Sequence, residues 1–166
     1  VVAGTRAGEK GTVRGDKSEQ FPTDRAQLEG YDLIIFGEVP KEVWRGHELT
    51  WLREFVEKRG GAIVFIDGSR NRFAEYADTP LAPLFPVSFS DRGGIREGIQ
   101  RLVLVNPAPS TRVLMLAAEK ELNGDTWAKM KPPHWLSGAS VLAGAETLVE
   151  AEVKGERVPA IVSRPF

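Results

Sequence analysis

The sequence predicts an α/β fold, with a mainly parallel sheet and an antiparallel extension on its C-terminal side. Two observations predict it. The first is a central unit in which an apolar run (residues 33–36) precedes an amphipathic segment (42–58) and a second apolar run (62–66). The second is a turn at 154–157 that separates two strand-like segments. Alternating strand and helix patterns favour parallel pairing, whereas a short turn between strands favours an antiparallel hairpin.

The central unit is the best defined part of the pattern. Its apolar runs are continuous rather than alternating, which is typical of strands that are covered on both faces of a parallel sheet. In the segment between them apolar residues recur mostly at three- and four-residue steps, as in an amphipathic helix, and Gly60 provides a left-handed cap at its end. A crossover of this length predicts parallel strands with a right-handed connection.

The other segments follow in chain order. Residues 1–4 indicate the end of a first strand, and residues 5–20 an exposed loop. Either Thr23 or Asp24 is suited to cap a short helix that runs to Leu28. Further along, the pattern predicts a helical turn at 73–76, a proline-rich apolar loop at 79–87, a strand at 102–105, a helix from Ser110 or Thr111 to about Glu119, and strands at 141–143, 147–153 and 158–162, with Pro159 marking the last as an edge or bulged strand.

Length and composition limit the class of protein. The chain has 166 residues, which suits a single domain over 1–166, and its net charge is −1. Lys and Arg are scattered among Asp and Glu, so we expect no nucleic acid partner. No apolar run approaches the ~20 residues of a membrane span. The chain starts without Met and ends in a strand-like segment, which indicates a piece of a longer protein. A membrane anchor in another part of that protein is compatible with this sequence. The sequence does not indicate a localisation.

Cysteine is absent from the chain, and there are two histidines, His47 and His134. The absence of cysteine excludes disulfides, thiolate metal sites and a cysteine nucleophile. Two histidines far apart in the sequence do not favour a histidine metal cluster. We therefore expect neither a metal ion nor a cofactor.

Candidate site residues follow the two strands of the central unit. Ligand sites of open parallel sheets lie beyond the carboxyl ends of the strands. Glycine and polar residues end strands in many α/β proteins, so these loops indicate a place for a ligand rather than a chemistry. The residues predicted to bind a ligand are Gly37 and Glu38 after the first strand and Asp67, Gly68, Ser69, Arg70 and Asn71 after the second.

Several segments resemble a known family. They are residues 21–23 (FPT), 31–37 (YDLIIFG), 52–56 (LREFV), 60–65 (GGAIVF), 81–87 (LAPLFPV), Trp127 with the prolines at 132–133, and 159–164 (PAIVSR). Together they resemble the class I glutamine amidotransferase-like domain, in the divergent branch found in large bacterial membrane-associated proteins, often beside von Willebrand factor A domains. The resemblance implies a flavodoxin-like three-layer sandwich over most of the chain.

The resemblance also bears on activity. In working members of that family the second strand leads into a sharp turn with a catalytic Cys, and a His-x-Glu pair follows later. Asp67 stands at the position of that Cys, and His134 is followed by Trp135 and Leu136 rather than by a Glu two residues on. An ordinary carboxylate attacks amides poorly, so the resemblance implies a protein without glutaminase activity. Ser69 lacks the second Gly of a nucleophile elbow and has no identified His partner, so helix or turn capping is its expected role.

Two hypotheses remain. The favoured one is a non-catalytic amidotransferase-like module, without catalytic residues, that serves as a binding or scaffolding domain of a larger bacterial protein for an unidentified small ligand or protein partner. The alternative is a hydrolase or sugar-processing enzyme that uses carboxylates of the same cleft. It requires Glu38 or Asp67 to converge with a second polar group, such as His134, within hydrogen-bond reach.

Overall fold

The computed structural model describes residues 7–8, 11–12, 21–22, 24–89, 94–105 and 114–166. These residues form two compact units, one reaching to Leu84 and the other extending from Phe85 to Pro165. The predicted strand end at residues 1–4, the Thr23 cap and the helix start at Ser110 or Thr111 lie outside the described residues. The prediction of a single domain over 1–166 stays a prediction.

The first unit contains one β-α-β crossover and a set of short helices. Strands β3 and β4 pair in parallel from Leu33 opposite Ala62 to Phe36 opposite Phe65. The elements of this unit are β1 (Ala7–Gly8), β2 (Gly11–Thr12), α1 (Arg25–Glu29), β3 (Leu33–Phe36), a 3₁₀ turn (Lys41–Val43), α2 (Glu48–Glu57), β4 (Ala62–Phe65) and two further 3₁₀ turns (Arg72–Tyr76 and Ala82–Leu84).

Local signals explain where the helices of this unit begin and end. The Asp24 side chain accepts the N–H of Gln27 and caps α1, as predicted. Helix α2 is shorter than the predicted 42–58, because a 3₁₀ turn at Lys41–Val43 precedes it and the helix begins at Glu48. It ends at Glu57, and Gly60, with a φ of 78°, provides the predicted left-handed conformation just beyond that end.

The buried face of the β3–β4 pair holds an aromatic cluster. Phe36 is 3% exposed, and its ring lies 5.2 Å from that of Trp44 and 5.7 Å from that of Tyr76. The opposite face is open: Leu33 is 51% exposed, and Ile35 is 61% exposed. The prediction that both faces of these strands are covered is therefore wrong, since an apolar run reports that a strand is apolar but not how many neighbours cover it.

The second unit is built on an antiparallel sheet of strand order β11-β10-β7. The turn between β10 and β11 uses Lys154 and Gly155, with φ of 51° and 85°, as a two-residue hairpin of primed type requires. Pro159 lies in β11 at the edge of the sheet, as predicted. The elements of this unit are β5 (Val87–Ser88), β6 (Ile95–Glu97), β7 (Ile99–Leu104), α3 (Lys120–Lys129), β8 (Trp135–Ser137), β9 (Ser140–Val141), β10 (Glu146–Val153) and β11 (Glu156–Ser163).

The core of the second unit lies on this sheet. Helix α3 contacts β7, and Trp127 donates its indole N–H to the Leu114 carbonyl at 2.9 Å. The buried residues of the cluster are Ile99, Leu102, Leu104, Leu114, Trp127, Val149, Ala151, Val153 and Val158.

The predicted flavodoxin-like three-layer sandwich with a mainly parallel sheet is wrong. Over the described residues the strands form small, mostly antiparallel sheets, the α-helices number three, and β3–β4 is the one parallel pair. The error has a physical cause. One strand–helix–strand crossover fixes one parallel pair, whereas the remaining strands pair through hairpins and irregular connections, where the partner is chosen by packing rather than by local sequence.

Candidate functional site

Two loops at one edge of the β3–β4 pair form the candidate site. We call residues 37–40, which follow β3, loop A, and residues 66–71, which follow β4, loop B. Because the two strands are parallel, their carboxyl ends lie at the same edge and the loops leave side by side. All seven residues predicted from the sequence belong to these loops.

Glu38 joins loop A to loop B. Its Oε1 accepts the backbone N–H of Arg70 at 2.6 Å. Its carboxylate also lies against Gly68, so closely that a Cβ at that position would overlap it. The structure thus brings Glu38, Gly68 and Arg70 together, and the Glu38 carboxylate stabilises the turn of loop B.

Loop B is shaped by hydrogen bonds within the loop. The Asp67 Oδ1 accepts the N–H of Gly68 at 2.9 Å, and the N–H of Asn71 reaches the Gly68 carbonyl at 3.0 Å. Asn71 has a φ of 53°, a left-handed conformation that Asn tolerates better than most residues. Asp67 lies at the corner between β4 and the following 3₁₀ turn, where the sequence placed it, while Ser69 and Arg70 are exposed.

The buried Tyr76 side chain is hydrogen-bonded to loop A. The Tyr76 hydroxyl donates to the Val39 carbonyl at 2.7 Å and accepts the Trp44 indole N–H at 2.6 Å. Burial raises the pKa of the Tyr76 hydroxyl well above its ordinary value of 10.0, although the hydrogen bond from Trp44 acts in the opposite sense. We did not predict from the sequence that Tyr76 and Trp44 support the candidate site. The available signal was an aromatic pair, Phe73 and Tyr76, on one turn directly after loop B.

Three side chains, one at the end of loop B and two in the following 3₁₀ turn, carry buried polar atoms that make no hydrogen bond. They are the Asn71 Oδ1, the Arg72 Nε and the Glu75 Oε2. The other end of Arg72 pairs with Glu75 through Nη1 and Oε1 at 3.3 Å. Buried polar groups are nearly always hydrogen-bonded, so three such atoms within five residues of the chain are unusual.

The second polar group of the alternative hypothesis lies in the other unit. His134 is exposed, between α3 and β8, whereas Glu38 and Asp67 belong to the first unit. The convergence of His134 with a carboxylate stays a prediction. In the ranges that the structure describes, no three His, Asp or Glu side chains are grouped as metal ligands. None of the described helices has the length and apolar character needed to span a membrane.

Comparison with known proteins gives one structural likeness. No family model matches the sequence, and no curated protein is significantly similar to it. Among solved structures, the chain resembles cytoplasmic protein STM3548 from Salmonella typhimurium with a TM-score of 0.62 and 17% sequence identity. The match covers 87% of this chain and 59% of that one, so the chain spans about three fifths of the length of its structural neighbour. At this identity the likeness is one of fold.

Proposed function

We propose that the chain is a non-catalytic module, of the amidotransferase-like kind that its sequence resembles, and that it binds a small polar ligand or a protein partner through loops A and B. In this proposal it serves as a binding or scaffolding domain of a larger bacterial protein associated with the envelope.

The state of the two loop carboxylates supports a non-catalytic role. A general acid or base must be free to exchange a proton with a bound substrate. The Glu38 carboxylate instead accepts the N–H of Arg70, and the Asp67 carboxylate accepts the N–H of Gly68. Both carboxylates therefore have a structural role in the loops.

The observation that carries the binding proposal is the group of unsatisfied polar atoms on Asn71, Arg72 and Glu75. A buried polar group without a partner costs about 1–3 kcal/mol, and three of them on neighbouring residues are unusual. These atoms are closed off from solvent, so a ligand must displace neighbouring side chains to reach them. One that donates to the Asn71 and Glu75 oxygens and accepts from the Arg72 Nε would remove that penalty. A molecule with hydroxyl groups offers both functions.

The test is a ligand screen with residue-level detection. We expect a polyol, sugar or nucleotide to shift amide NMR signals in residues 37–40 and 66–76 and to raise the melting temperature. A ligand at a hundred times its Kd stabilises by about 2.7 kcal/mol. The Asn71→Ala variant should lose the response, while the matched Gln100→Ala variant, on an exposed strand position of the other unit, should retain it. Ligands that bind only outside these loops would contradict the proposal.

One observation favours the enzyme alternative. The Glu38 and Asp67 carboxylates both converge on Gly68, one against its Cα and the other on its N–H. Paired carboxylates support acid–base hydrolysis. If the chain is a hydrolase, Glu38→Gln, which keeps the acceptor oxygen but cannot exchange the proton, should lower kcat by about 10²-fold or more. Hydrolysis that persists in both Glu38→Gln and Asp67→Asn variants would exclude this mechanism.

A further inference from the structure

Loop B contains a dipeptide with a chemistry that does not depend on the proposed function. The chain has one Asp-Gly pair, Asp67–Gly68, and one Asn-Gly pair, Asn123–Gly124. In both pairs the backbone nitrogen of the glycine can attack the side-chain carbon of the preceding residue. In an unstructured chain Asn-Gly is the faster of the two, because a carboxamide is a better electrophile than an ionised carboxylate.

In the folded chain the two pairs lie in different surroundings. We propose that Asp67–Gly68 is a site of spontaneous isoaspartate formation, and that Asn123–Gly124 is protected from the same reaction. The N–H of Gly68 lies 2.9 Å from the Asp67 Oδ1, so the attacking nitrogen is already next to the carboxyl carbon. Reacting atoms that are held close together need little further ordering to react. The pair lies in a loop outside regular secondary structure, beyond the end of β4 at Phe65.

The surroundings of Asn123, in contrast, oppose ring closure. Asn123 is fully buried, and it lies with Gly124 inside α3. Its Oδ1 accepts the N–H groups of Leu116 and Ala117 at 2.8 and 3.2 Å, and its Nδ2 donates to the Leu114 carbonyl at 3.3 Å. Ring closure requires these three bonds and the helical backbone to be broken first, so it waits for local unfolding.

The reaction balances without a cofactor. The Gly68 nitrogen attacks the Asp67 Cγ and gives its proton to water, and a carboxyl oxygen leaves as water after protonation. One water molecule then opens the five-membered imide. Attack at the backbone carbonyl leaves the main chain running through Cβ and Cγ, which is the isoaspartyl link, and attack at Cγ restores aspartate. The released and consumed waters cancel.

The modification would alter loop B. An isoaspartyl link adds one carbon to the main chain between residues 67 and 68. Gly68 then no longer fits against the Glu38 carboxylate, and the bond from the Arg70 N–H to Glu38 is displaced. Ageing of the protein at this one position would therefore loosen the connection between loops A and B.

The folded 166-residue chain is incubated at neutral pH and physiological temperature. Both pairs are followed by peptide mapping with a protease that cleaves before Asp but not before isoaspartate. We expect isoaspartate at residue 67 and an unchanged Asn123. Wild-type protein in which Asn123 reacts first, or in which residue 67 reacts only after unfolding in urea, overturns the proposal.

The Asp67→Asn variant gives the sharper comparison, because it places two Asn-Gly pairs in one chain. In the folded variant residue 67 should lose ammonia at a rate within about tenfold of its rate in urea, whereas Asn123 should react only in urea, as expected when protection requires local opening. Equal rates at the two pairs in the folded variant would also overturn the proposal.

Discussion

The candidate site requires a residue without a side chain at position 68, which is Gly68. Its Cα lies against the Glu38 carboxylate, which is fixed by the N–H of Arg70 at 2.6 Å. A methyl group at this position must push the carboxylate away and leave that N–H without its acceptor. We expect Gly68→Ala to lower the free energy of unfolding by about 1–3 kcal/mol, measured by urea denaturation.

A matched glycine in loop A provides the control. A Cβ at Gly37 would meet nothing within 4 Å. Gly37→Ala should therefore change stability by less than about 0.5 kcal/mol. The double variant Glu38→Ala with Gly68→Ala should be less destabilised than the sum of the single variants, because Glu38→Ala removes the overlap. Additive effects would show that Gly68 is not limited by Glu38.

The role of Tyr76 depends on its hydroxyl group. Tyr76→Phe removes the hydroxyl, and both the Val39 carbonyl and the Trp44 indole N–H lose their partner. We expect a loss of about 1–3 kcal/mol in the free energy of unfolding, because buried groups left unpaired carry their full desolvation penalty. Tyr31→Phe, at a half-buried position, is the control, and an equal loss there would contradict the assignment.

The same hydroxyl predicts a pH dependence. Burial raises the pKa of Tyr76 above its ordinary value of 10.0, so the folded state holds the proton more tightly than the unfolded state. This contribution is complete below the ordinary value and is lost as the pH rises from there towards the pKa of the folded state. The unfolding free energy of the wild type should fall more steeply above about pH 10 than that of Tyr76→Phe. Parallel curves would contradict it.

At the scale of elements, the open face of the β3–β4 pair is the most unusual feature. Leu33, Ile35, Val64 and Ile66 are 45–61% exposed. Parallel strands are normally covered on both faces, and clustered apolar surface promotes association. The double substitution Ile35→Thr with Val64→Thr should reduce self-association in sedimentation experiments, yet change the unfolding free energy by less than about 1 kcal/mol, because exposed side chains contribute little to stability.

A substitution on the buried face of the β3–β4 pair is the control for these two threonine substitutions. Phe36 lies on the same strand with 3% exposure, and Phe36→Ala should cost about 3–5 kcal/mol through loss of aromatic packing. If the two threonine substitutions destabilise the protein as much as Phe36→Ala, the outer face of the pair is covered in solution.

At the scale of the whole molecule, the second unit carries its own core. The buried cluster from Ile99 to Val158 lies entirely between residues 85 and 165. A unit whose core is formed by its own residues can fold alone. We expect a fragment of residues 85–165 to give a dispersed amide NMR spectrum and a cooperative thermal transition, with Val149→Asp in the same fragment as the unfolded control. A disordered fragment would support a single domain over 1–166.

The sequence predicted some elements well because their signals are local. The hairpin at Lys154–Gly155, the cap of α1 by Asp24 and the stop at Gly60 each depend on residues a few positions apart. The parallel pairing of β3 with β4 followed from one crossover. The partners of the other strands, the open face at Ile35 and the start of α2 were not predictable, because they depend on which distant segments pack together.

The sequence by itself determined which two loops form the candidate site: strand ends, a crossover and turn-forming residues bring loops A and B to one edge. Only the tertiary structure decided what those residues do. It placed the Glu38 carboxylate on the Arg70 N–H and the Tyr76 hydroxyl on the Val39 carbonyl. The physical reason is that a hydrogen bond across 32 or 37 residues of chain is set by packing, whereas a cap or a turn is set by its neighbours.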